Sequence, residues 1–304
     1  MKLSTLLPLA TAIATTVMPP SVIAAGNSTL SVLSNNVYFL PSTVSNWAQT
    51  DRAKLIANSA YIKNHDVVVI QECFDNSACD ELRKGLRSQY PHQGRIVGGD
   101  KSSLFHANGG TLILSKWPIK KEDQMLFENL CGSDSHASKG VAYAVIDRDG
   151  VNVHVFGTHM QSEDTGCSKG QDAENRAEGA NAWREFIDKL NIPADELVIL
   201  AGDFNIKRDT PEFKSFLDRL DVDQPTKYNG HAWTWDTERN EIARYNYPKL
   251  VPEYLDYIFT DRKHRKVKSA VQTVLMVKAP EYDISGVAYH EYSDHYPVRV
   301  VIEL

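Results

Sequence analysis

The chain has 304 residues, of which 42% are hydrophobic, and a formal net charge of −6. This size and composition suit one large α/β domain or two modest ones. Beyond the N-terminus, no run is long and apolar enough to cross a bilayer. The acidic balance argues against sequence-independent binding to a DNA backbone, which needs Lys and Arg to neutralise phosphates, but it does not exclude a local basic groove.

The N-terminal residues have the pattern of a secretory signal peptide. Lys2 gives a short positive region, a mostly apolar stretch follows over residues 3–18, and a Pro-Pro pair and small residues come next. We predict a signal peptide over residues 1–25 and a secreted chain, extracellular or periplasmic, over residues 26–304. An N-terminal membrane anchor is the alternative, and the apolar run is short for one.

Short runs rich in Val and Ile predict buried strands along the chain. They fall at residues 30–33, 67–70, 111–114, 141–146, 151–156, 197–201, 254–259 and 298–302. Asp149-Gly150 joins two of these runs and is a strong signal for a hairpin turn.

Amphipathic patterns predict helices between the strands. They cover residues 52–63, 80–90 and 173–190. A further helix is predicted to begin after Thr210, which suits an N-cap, with Pro211 in its first turn. Two polar stretches predict surface loops, at residues 93–108 and 122–139. Strands followed by helices, together with hairpin-linked strands, predict a single α/β (α+β) domain with mixed sheets covered by helices.

Four cysteines, in a chain with an export signal, predict two disulfides. Three pairings are open. We favour Cys73–Cys79, because these two are near neighbours, and Cys131–Cys167, because these two lie in separate polar loops. A zinc site is the competing interpretation, but the chain has no paired C-x-x-C motif.

Polar residues follow the predicted strands at several points. Glu72 comes directly after the run at 67–70, where a carboxylate must be solvated, paired or bound to a metal. Magnesium fits best, because it takes one or two carboxylates together with substrate phosphate oxygens. Asn36 also follows a strand and is a candidate to ligate the metal or to position a water, with an Asx-turn as the alternative.

Asp203 and Asn205 follow another strand, separated by one residue. Because side chains alternate along a strand, both are expected to point to one face. Asp203 is a candidate to hold or deprotonate a nucleophilic water, and Asn205 to donate to a phosphoryl oxygen. A turn or a helix N-cap is the alternative for either residue.

His295 is the best candidate for a general base, because histidine titrates near neutral pH. Asp256 is its natural partner, since a lone carboxylate inside an apolar strand is costly. Asp294 is a candidate second metal ligand or orienting group.

Further candidates carry weaker signals. His159 ends a strand and suits contact with a phosphate oxygen or protonation of a leaving alkoxide, although histidines at strand ends are more often structural. Lys139 is a candidate to offset phosphate charge, with a solvated loop lysine as the alternative. Trp233 and Trp235 suit either the core or an aromatic wall for a quaternary ammonium group.

These candidates lie in motifs that are familiar as a set. The broader motifs are Gln71-Glu72, Gly202-Asp203-Phe204-Asn205, Leu255-Asp256-Tyr257 and Ser293-Asp294-His295-Tyr296-Pro297. The narrower ones include Asn36-Val37-Tyr38-Phe39-Leu40, Ser115-Lys116-Trp117-Pro118-Ile119 and Gly157-Thr158-His159-Met160-Gln161. Over residues 30–304 the sequence resembles the bacterial secreted neutral sphingomyelinases, phospholipases C related to staphylococcal beta-toxin, in the endonuclease/exonuclease/phosphatase superfamily.

The resemblance implies a deoxyribonuclease-I-like four-layer sandwich, with two packed mixed β-sheets flanked by helices. It implies Mg²⁺-dependent hydrolysis of sphingomyelin to ceramide and phosphocholine, with Mn²⁺ or Co²⁺ as substitute ions, by a peripheral enzyme at a membrane surface that we expect to be a monomer. It supports Cys131–Cys167 as a loop disulfide. It also implies roles for particular residues: Glu72 and Asn36 at the metal, Asp203, Asn205 and His159 around the phosphate, and His295 as base with Asp256 behind it.

Two departures from the family pattern stand out. Haemolytic members carry an exposed Trp and Phe on a hairpin before the final Asp-His, whereas the corresponding segment 281–292 is short and has neither. Weaker interfacial binding is therefore expected. Some relatives also bind a second ion through an acidic pair before Gly-Gly, whereas Ala107-Asn108 stands here. The second site is therefore expected to be weakened or absent, with Asn76 as its remaining candidate ligand.

The broader motifs alone also fit other activities. A secreted nuclease of the same fold is one alternative, and a phospholipase C for other choline phospholipids is another. A lipid-binding module with an inactive site is a third. The acidic charge and the narrower motifs favour the sphingomyelinase, so no nucleic-acid partner is expected.

Overall fold

Two large β-sheets pack face to face in the computed structural model, which describes residues 29–99, 101–103 and 106–304. The predicted signal peptide lies outside the described residues. Within them no helix is long and apolar enough to cross a membrane.

The first sheet has seven strands. In spatial order they are β10 (Lys227–Gly230), β12 (Ser269–Val274), β15 (Val298–Glu303), β1 (Thr29–Phe39), β2 (Val67–Cys73), β4 (Leu112–Ser115) and β3 (His92–Gln93). β1 and β2 run parallel, and β15 pairs antiparallel with β1 on its other side.

The second sheet has six strands. In spatial order they are β5 (Ile119–Leu126), β6 (Gly140–Arg148), β7 (Val151–His159), β8 (Leu197–Asp203), β11 (Asp256–Asp261) and β9 (Val222–Asp223). β7 and β8 run parallel, so their carboxyl ends lie together at one edge. A separate hairpin pairs β13 (Tyr282–Ile284) with β14 (Val287–Tyr289).

The longer helices cover the outer faces, whereas the short helix Glu241–Asn246 packs beside the hairpin. The helices are α1 (Gln49–Asn58), α2 (Asn76–Leu86), α3 (Gln171–Lys189), α4 (Pro211–Leu220) and α5 (Glu241–Asn246), with a 3₁₀ helix at Gly132–His136. Along β2, Val67 and Val69 belong to the core between the sheets, whereas Val68 and Ile70 pack with residues of α1 and α2. This alternation explains why the run is apolar throughout, because both faces of the strand are buried. The predicted four-layer sandwich is confirmed.

Most predicted elements are present, with shifted ends. Thr210 caps α4, with Pro211 in its first turn, as predicted. Asp149 and Gly150 form the turn between β6 and β7, both with positive φ. The two predicted disulfides, Cys73–Cys79 and Cys131–Cys167, are both present.

The prediction of a loop over residues 122–139 is wrong in its first part. Residues up to Leu126 belong to β5, which pairs with β6 at the sheet edge. β5 carries charged, exposed side chains, and such an edge strand is held by backbone hydrogen bonds rather than by a buried face. It therefore lacks the alternation by which strands are recognised in a sequence.

Candidate active site

A cleft of about 440 Å³ opens where the carboxyl ends of β1 and β2 meet those of β7 and β8. Packing one sheet on the other brings these ends together, although they are far apart in the chain. The predicted site residues that line the cleft are Glu72, Lys139, His159, Asp203, Asn205, Trp235, Asp294 and His295.

The backbone at the ends of β1 and β2 turns polar side chains into the cleft. Glu72 lies within β2 with φ of 57°, and Tyr38 lies within β1 with φ of 52°. The pairing of the two strands shifts register between Asn36 and Phe39. Left-handed backbone is rare outside glycine, and such strain concentrates at functional sites. Asn36 and Glu72 therefore lie inside strands, not after them as predicted, because both strands continue past their apolar runs.

Asn36 joins the two acidic groups at the base of the cleft. Its Nδ2 donates to Glu72 Oε1 at 2.7 Å and to Asp203 Oδ2 at 3.1 Å. Its Oδ1 accepts a hydrogen bond from the backbone N–H of Tyr38 at 3.0 Å, which orients the carboxamide. Glu72 and Asp203, from different sheets, are thus held side by side.

His159 completes a compact cluster with these carboxylates. Its Nε2 lies 3.8 Å from Glu72 Oε1 and 3.8 Å from Asp203 Oδ2. One ligand atom from each of the three residues lies within 4.8 Å of the other two. Burial, and then the nearby Lys139 ammonium, lower the pKa of His159 well below its ordinary value, so its imidazole is neutral.

Asn205 reaches the cleft from a turn after β8, where side chains no longer alternate as they do along a strand. β8 ends at Asp203, and Asn205 has φ of 53°. Its backbone N–H donates to Asp203 Oδ1 at 3.0 Å, and its Nδ2 donates to Met160 O at 3.0 Å. The expectation that strand alternation orients this pair is wrong, but both side chains line the cleft.

His295 and Asp256 form a buried pair beside Asp203. His295 Nδ1 lies 2.9 Å from Asp256 Oδ2, and its Nε2 lies 3.7 Å from Asp203 Oδ2. The distance between His295 Nε2 and Asp203 Oδ2 is too long for a direct hydrogen bond. It would allow a single water oxygen to lie about 2.8 Å from each of them. Burial alone disfavours the charged imidazole, but the Asp256 and Asp203 carboxylates outweigh it and raise the pKa of His295 well above its ordinary value.

Lys139 is buried, so the expectation that a loop lysine is more often solvated does not describe it. Its Nζ contacts Asp134 Oδ1 at 2.7 Å, His159 Nε2 at 3.2 Å and Met160 O at 3.1 Å. Asp134, from the 3₁₀ helix, was missed because nothing in its local sequence shows that it faces a lysine near the cleft.

Two aromatic side chains form one wall. Trp235 is 7% exposed and pairs through its backbone with both Glu253 and His295. Tyr247, which sequence reasoning missed, meets it edge-on at 5.3 Å. Burial, and then the Asp294 and Glu72 carboxylates, raise the pKa of Tyr247 to about 12. Its side chain lines the same cleft as these two acidic residues. Trp233 is 39% exposed and lies outside this wall.

Asp294 and Asn76, two predicted metal ligands, belong to neither of the His and carboxylate clusters at the base of the cleft. Asp294 lines the cleft and accepts a hydrogen bond from Ser293 Oγ. Among the described residues, it is not part of a group of side chains close enough together to hold a metal ion. Asn76 does not line the cleft. Its carboxamide exchanges two hydrogen bonds with the backbone of Ser102, at 2.8 and 3.0 Å.

The donor set suits a hard divalent cation. Glu72, Asp203 and Asp294 are buried together, with the Lys139 ammonium already paired to Asp134. Burial, and then the Asp294 carboxylate, raise the pKa of Glu72 to about 8. Carboxylate oxygens in such a concentration of negative charge are the ligands that Mg²⁺ prefers.

Comparison with known proteins places the chain among relatives. It matches the model of the Endonuclease/Exonuclease/phosphatase family over residues 33–295. It is 43% identical to phospholipase C of Staphylococcus aureus, over 89% of this chain and 86% of that protein. It is 38% identical to sphingomyelinase C of Bacillus cereus, over 91% of this chain and 90% of that protein.

A solved structure is equally similar. The crystal structure of a Staphylococcus aureus beta toxin variant with bound magnesium ions has a TM-score of 0.86 and 43% identity. The match covers 89% of this chain and 98% of that one. The chain therefore belongs to the endonuclease/exonuclease/phosphatase family, with bacterial sphingomyelinase C and staphylococcal phospholipase C among its relatives.

Proposed function

We propose that the protein is a secreted, Mg²⁺-dependent phosphodiesterase that hydrolyses sphingomyelin to ceramide and phosphocholine. The single observation that carries the proposal is the buried His295–Asp256 pair beside Asp203, in a cleft with Glu72 and His159. The named relatives, a sphingomyelinase C and a phospholipase C, support the substrate class.

Glu72 and Asp203 would hold the magnesium ion, with Asn36 beside them and Asp294 nearby in the same cleft. When bound, the ion would neutralise negative charge on a phosphoryl oxygen. Bound magnesium in the beta toxin variant supports the choice of magnesium as the ion. The hydrogen bonds from Asn36 keep the two carboxylates together although they repel each other.

His295 acts as the general base. Asp256 holds Nδ1–H of the imidazole, so that Nε2 faces the cleft and accepts a proton from the attacking water. Asp203, 3.7 Å from that nitrogen, orients the same water. The raised pKa of His295 makes its neutral form a stronger proton acceptor.

The other polar groups bind the phosphodiester. Asn205 is held at the cleft wall by Met160 O and suits a hydrogen bond to a phosphoryl oxygen. The buried Lys139, although paired to Asp134, also contacts His159 Nε2 and orients this imidazole, which would lie against the phosphate. The wall formed by Trp235 and Tyr247 suits the trimethylammonium end of phosphocholine through cation–π attraction.

The site assignments, the oligomeric state and the export route are parts of the same proposal. The N-terminal signal pattern and the two disulfides support a secreted protein. We take it to be a monomer that acts peripherally at a membrane, with residues 26–304 as one catalytic domain.

Release of phosphocholine tests the proposal. Sphingomyelin and phosphatidylcholine, each in detergent micelles, are incubated with the protein and Mg²⁺, then with EDTA, and plasmid DNA at low salt serves as a third substrate. Release from sphingomyelin alone, abolished by EDTA, is the expected result. Cleavage of DNA without release from either lipid would overturn the proposal in favour of a nuclease, and equal release from both lipids would overturn its substrate class.

A further inference from the structure

Exposed apolar side chains are concentrated in one short segment beside the cleft. Tyr245 is 69% exposed, Tyr247 44%, Leu250 54% and Val251 69%. These are four of the ten large apolar side chains that stand exposed in the described part of the chain, yet they lie within seven residues. Scattered exposed apolar residues need no explanation, whereas a contiguous patch marks an interaction site. We call residues 245–251 the rim segment.

The rim segment is held in place by hydrogen bonds. The backbone N–H of Tyr247 donates to Ala243 O at 2.8 Å, and that of Leu250 donates to Tyr247 O at 3.2 Å. Thr237 Oγ1 donates to Leu250 O at 2.6 Å. The apolar side chains are therefore presented on an ordered scaffold.

The rim segment connects the cleft to the hairpin. Tyr247, Leu250 and Val251 stand at the mouth of the cleft. On the other side, Tyr245 meets Trp47 edge-on at 5.3 Å, and Trp47 meets Tyr289 of β14 at 5.1 Å. Trp47 and Tyr289 are buried, so these contacts anchor Tyr245 to the hairpin from beneath.

The hairpin extends this surface. Val287, at the start of β14, is 52% exposed and borders the same surface depression as Tyr245. The hairpin is short, but the rim segment enlarges the apolar face that surrounds the cleft mouth.

The charges of the rim segment identify the partner. The one charged side chain of the rim segment is the exposed cation Lys249, and the exposed Arg244 directly precedes the segment. The flanking Glu241 and Glu253 are only partly exposed. Tyrosines and aliphatic side chains beside cations match the interface of a bilayer, where apolar groups meet acyl chains and cations meet lipid phosphates. A cleft that receives the headgroup of a membrane lipid must also face the bilayer at its mouth.

We propose that the rim segment, together with Val287, is a docking surface for a phosphocholine-headgroup bilayer and holds the cleft mouth against it. The inference rests on the proposed function for its orientation. Binding itself is independent of hydrolysis, so the two can be tested separately.

Flotation with sphingomyelin–phosphatidylcholine vesicles in EDTA measures docking without hydrolysis. The variant Tyr245→Ser/Val287→Ser removes two apolar groups outside the cleft, and Tyr245→Ser alone tests the rim segment without the hairpin. The matched control is Leu126→Ser/Val301→Ser, which removes exposed apolar groups on other faces. We expect at least about a fivefold loss of vesicle binding for the double variant, a smaller loss for the single variant, and none for the control. Tyr245→Phe should bind like the parent chain.

Hydrolysis in two states of the lipid gives the second readout. The double variant should lose activity on intact vesicles in the same proportion, while its activity on sphingomyelin in detergent micelles stays unchanged. If the parent chain did not hydrolyse sphingomyelin in micelles, the proposed function would be contradicted. The docking proposal would then be decided by vesicle flotation alone. Unchanged flotation of the double variant, with a melting temperature near that of the parent, would overturn the inference. The inference would also be overturned if the double variant lost self-association of the chain but kept its vesicle binding. That result would assign the surface to contact with a second copy of the chain.

Discussion

His295 Nδ1 lies 2.9 Å from Asp256 Oδ2, at the end of β11 that opens into the cleft. The other end of the same strand carries a similar pair, His264 Nδ1 and Asp261 Oδ1, 2.7 Å apart. Asp261 also contacts the Arg184 guanidinium and lies away from the cleft. One strand thus presents a candidate catalytic pair and a structural pair of the same chemistry.

Asp256→Asn should lower kcat by about 10²-fold or more, because the imidazole loses the charge that strengthens it as a base. KM should change little, since Asp256 lies behind His295. The carboxylates raise the pKa of His295, so removing one lowers that pKa, and the acidic limb of the kcat profile moves to lower pH. Steady-state kinetics between pH 5 and 9 measure both effects. A fall in kcat with an unmoved acidic limb would show that Asp256 does not act through this histidine.

Magnesium binding should release a proton from Glu72. In the metal-free protein its pKa is about 8, so below that pH the carboxyl is largely protonated and must ionise before it binds the ion. Magnesium affinity should therefore weaken as pH falls from 8 to 6 and level off above 8. Calorimetry in buffers of different ionisation enthalpy counts the protons.

Glu72→Gln provides the matching control. It should abolish this proton release and raise the metal-free melting temperature at pH 7. An acid whose folded pKa lies above its ordinary value destabilises the fold as pH rises through the interval between them, and glutamine removes that cost. Proton release that persists in the variant would contradict the assignment to Glu72.

Cys73–Cys79 and Cys131–Cys167 should have separable effects. Chain-entropy arguments give about 2 kcal/mol for the shorter loop and about 4 kcal/mol for the longer one, which span 6 and 36 residues respectively. Cys73 directly follows Glu72, so replacing this pair by serine should weaken magnesium binding more, whereas replacing the other pair should cost more stability. Metal titration and chemical denaturation of both double variants measure the two effects. Equal magnesium affinity in the two variants would contradict a part for the shorter disulfide in orienting Glu72.

Much of the site was predictable because its residues stand beside recognisable strands. Glu72, Asp203 and His295 follow or precede apolar runs, where a polar side chain calls for a chemical reason. Lys139 was misjudged and Tyr247 missed, because each lies in a polar stretch and reaches the cleft only through tertiary packing. The positive φ values of Glu72 and Asn205 also have no signal in the sequence, since neither residue is glycine. Glu72 lies where the register between β1 and β2 shifts, and Asn205 lies in the turn after β8.

Arg52 is fully buried and should position several parts of the cleft at once. Its guanidinium donates to the backbone carbonyls of Trp47, Val37, Tyr292 and Tyr38. Three of these carbonyls, those of Val37, Tyr38 and Tyr292, belong to the segments that carry Asn36 and Asp294. Arg52→Met should cost about 3 kcal/mol or more, because buried acceptors lose their donors. Arg95→Met, at an exposed position, is the control in denaturant unfolding, and equal stability of both variants would contradict this role.

The central claim is that His295 is the general base for hydrolysis of sphingomyelin, and one comparison tests it most directly. Phosphocholine release from sphingomyelin micelles with Mg²⁺ is measured for His295→Ala and for His264→Ala, which disrupts the matched pair at the other end of β11. We expect a loss of about 10²–10⁴-fold for His295→Ala with its fold intact, and near-normal turnover for folded His264→Ala. Retained turnover in a folded His295→Ala protein would contradict the account.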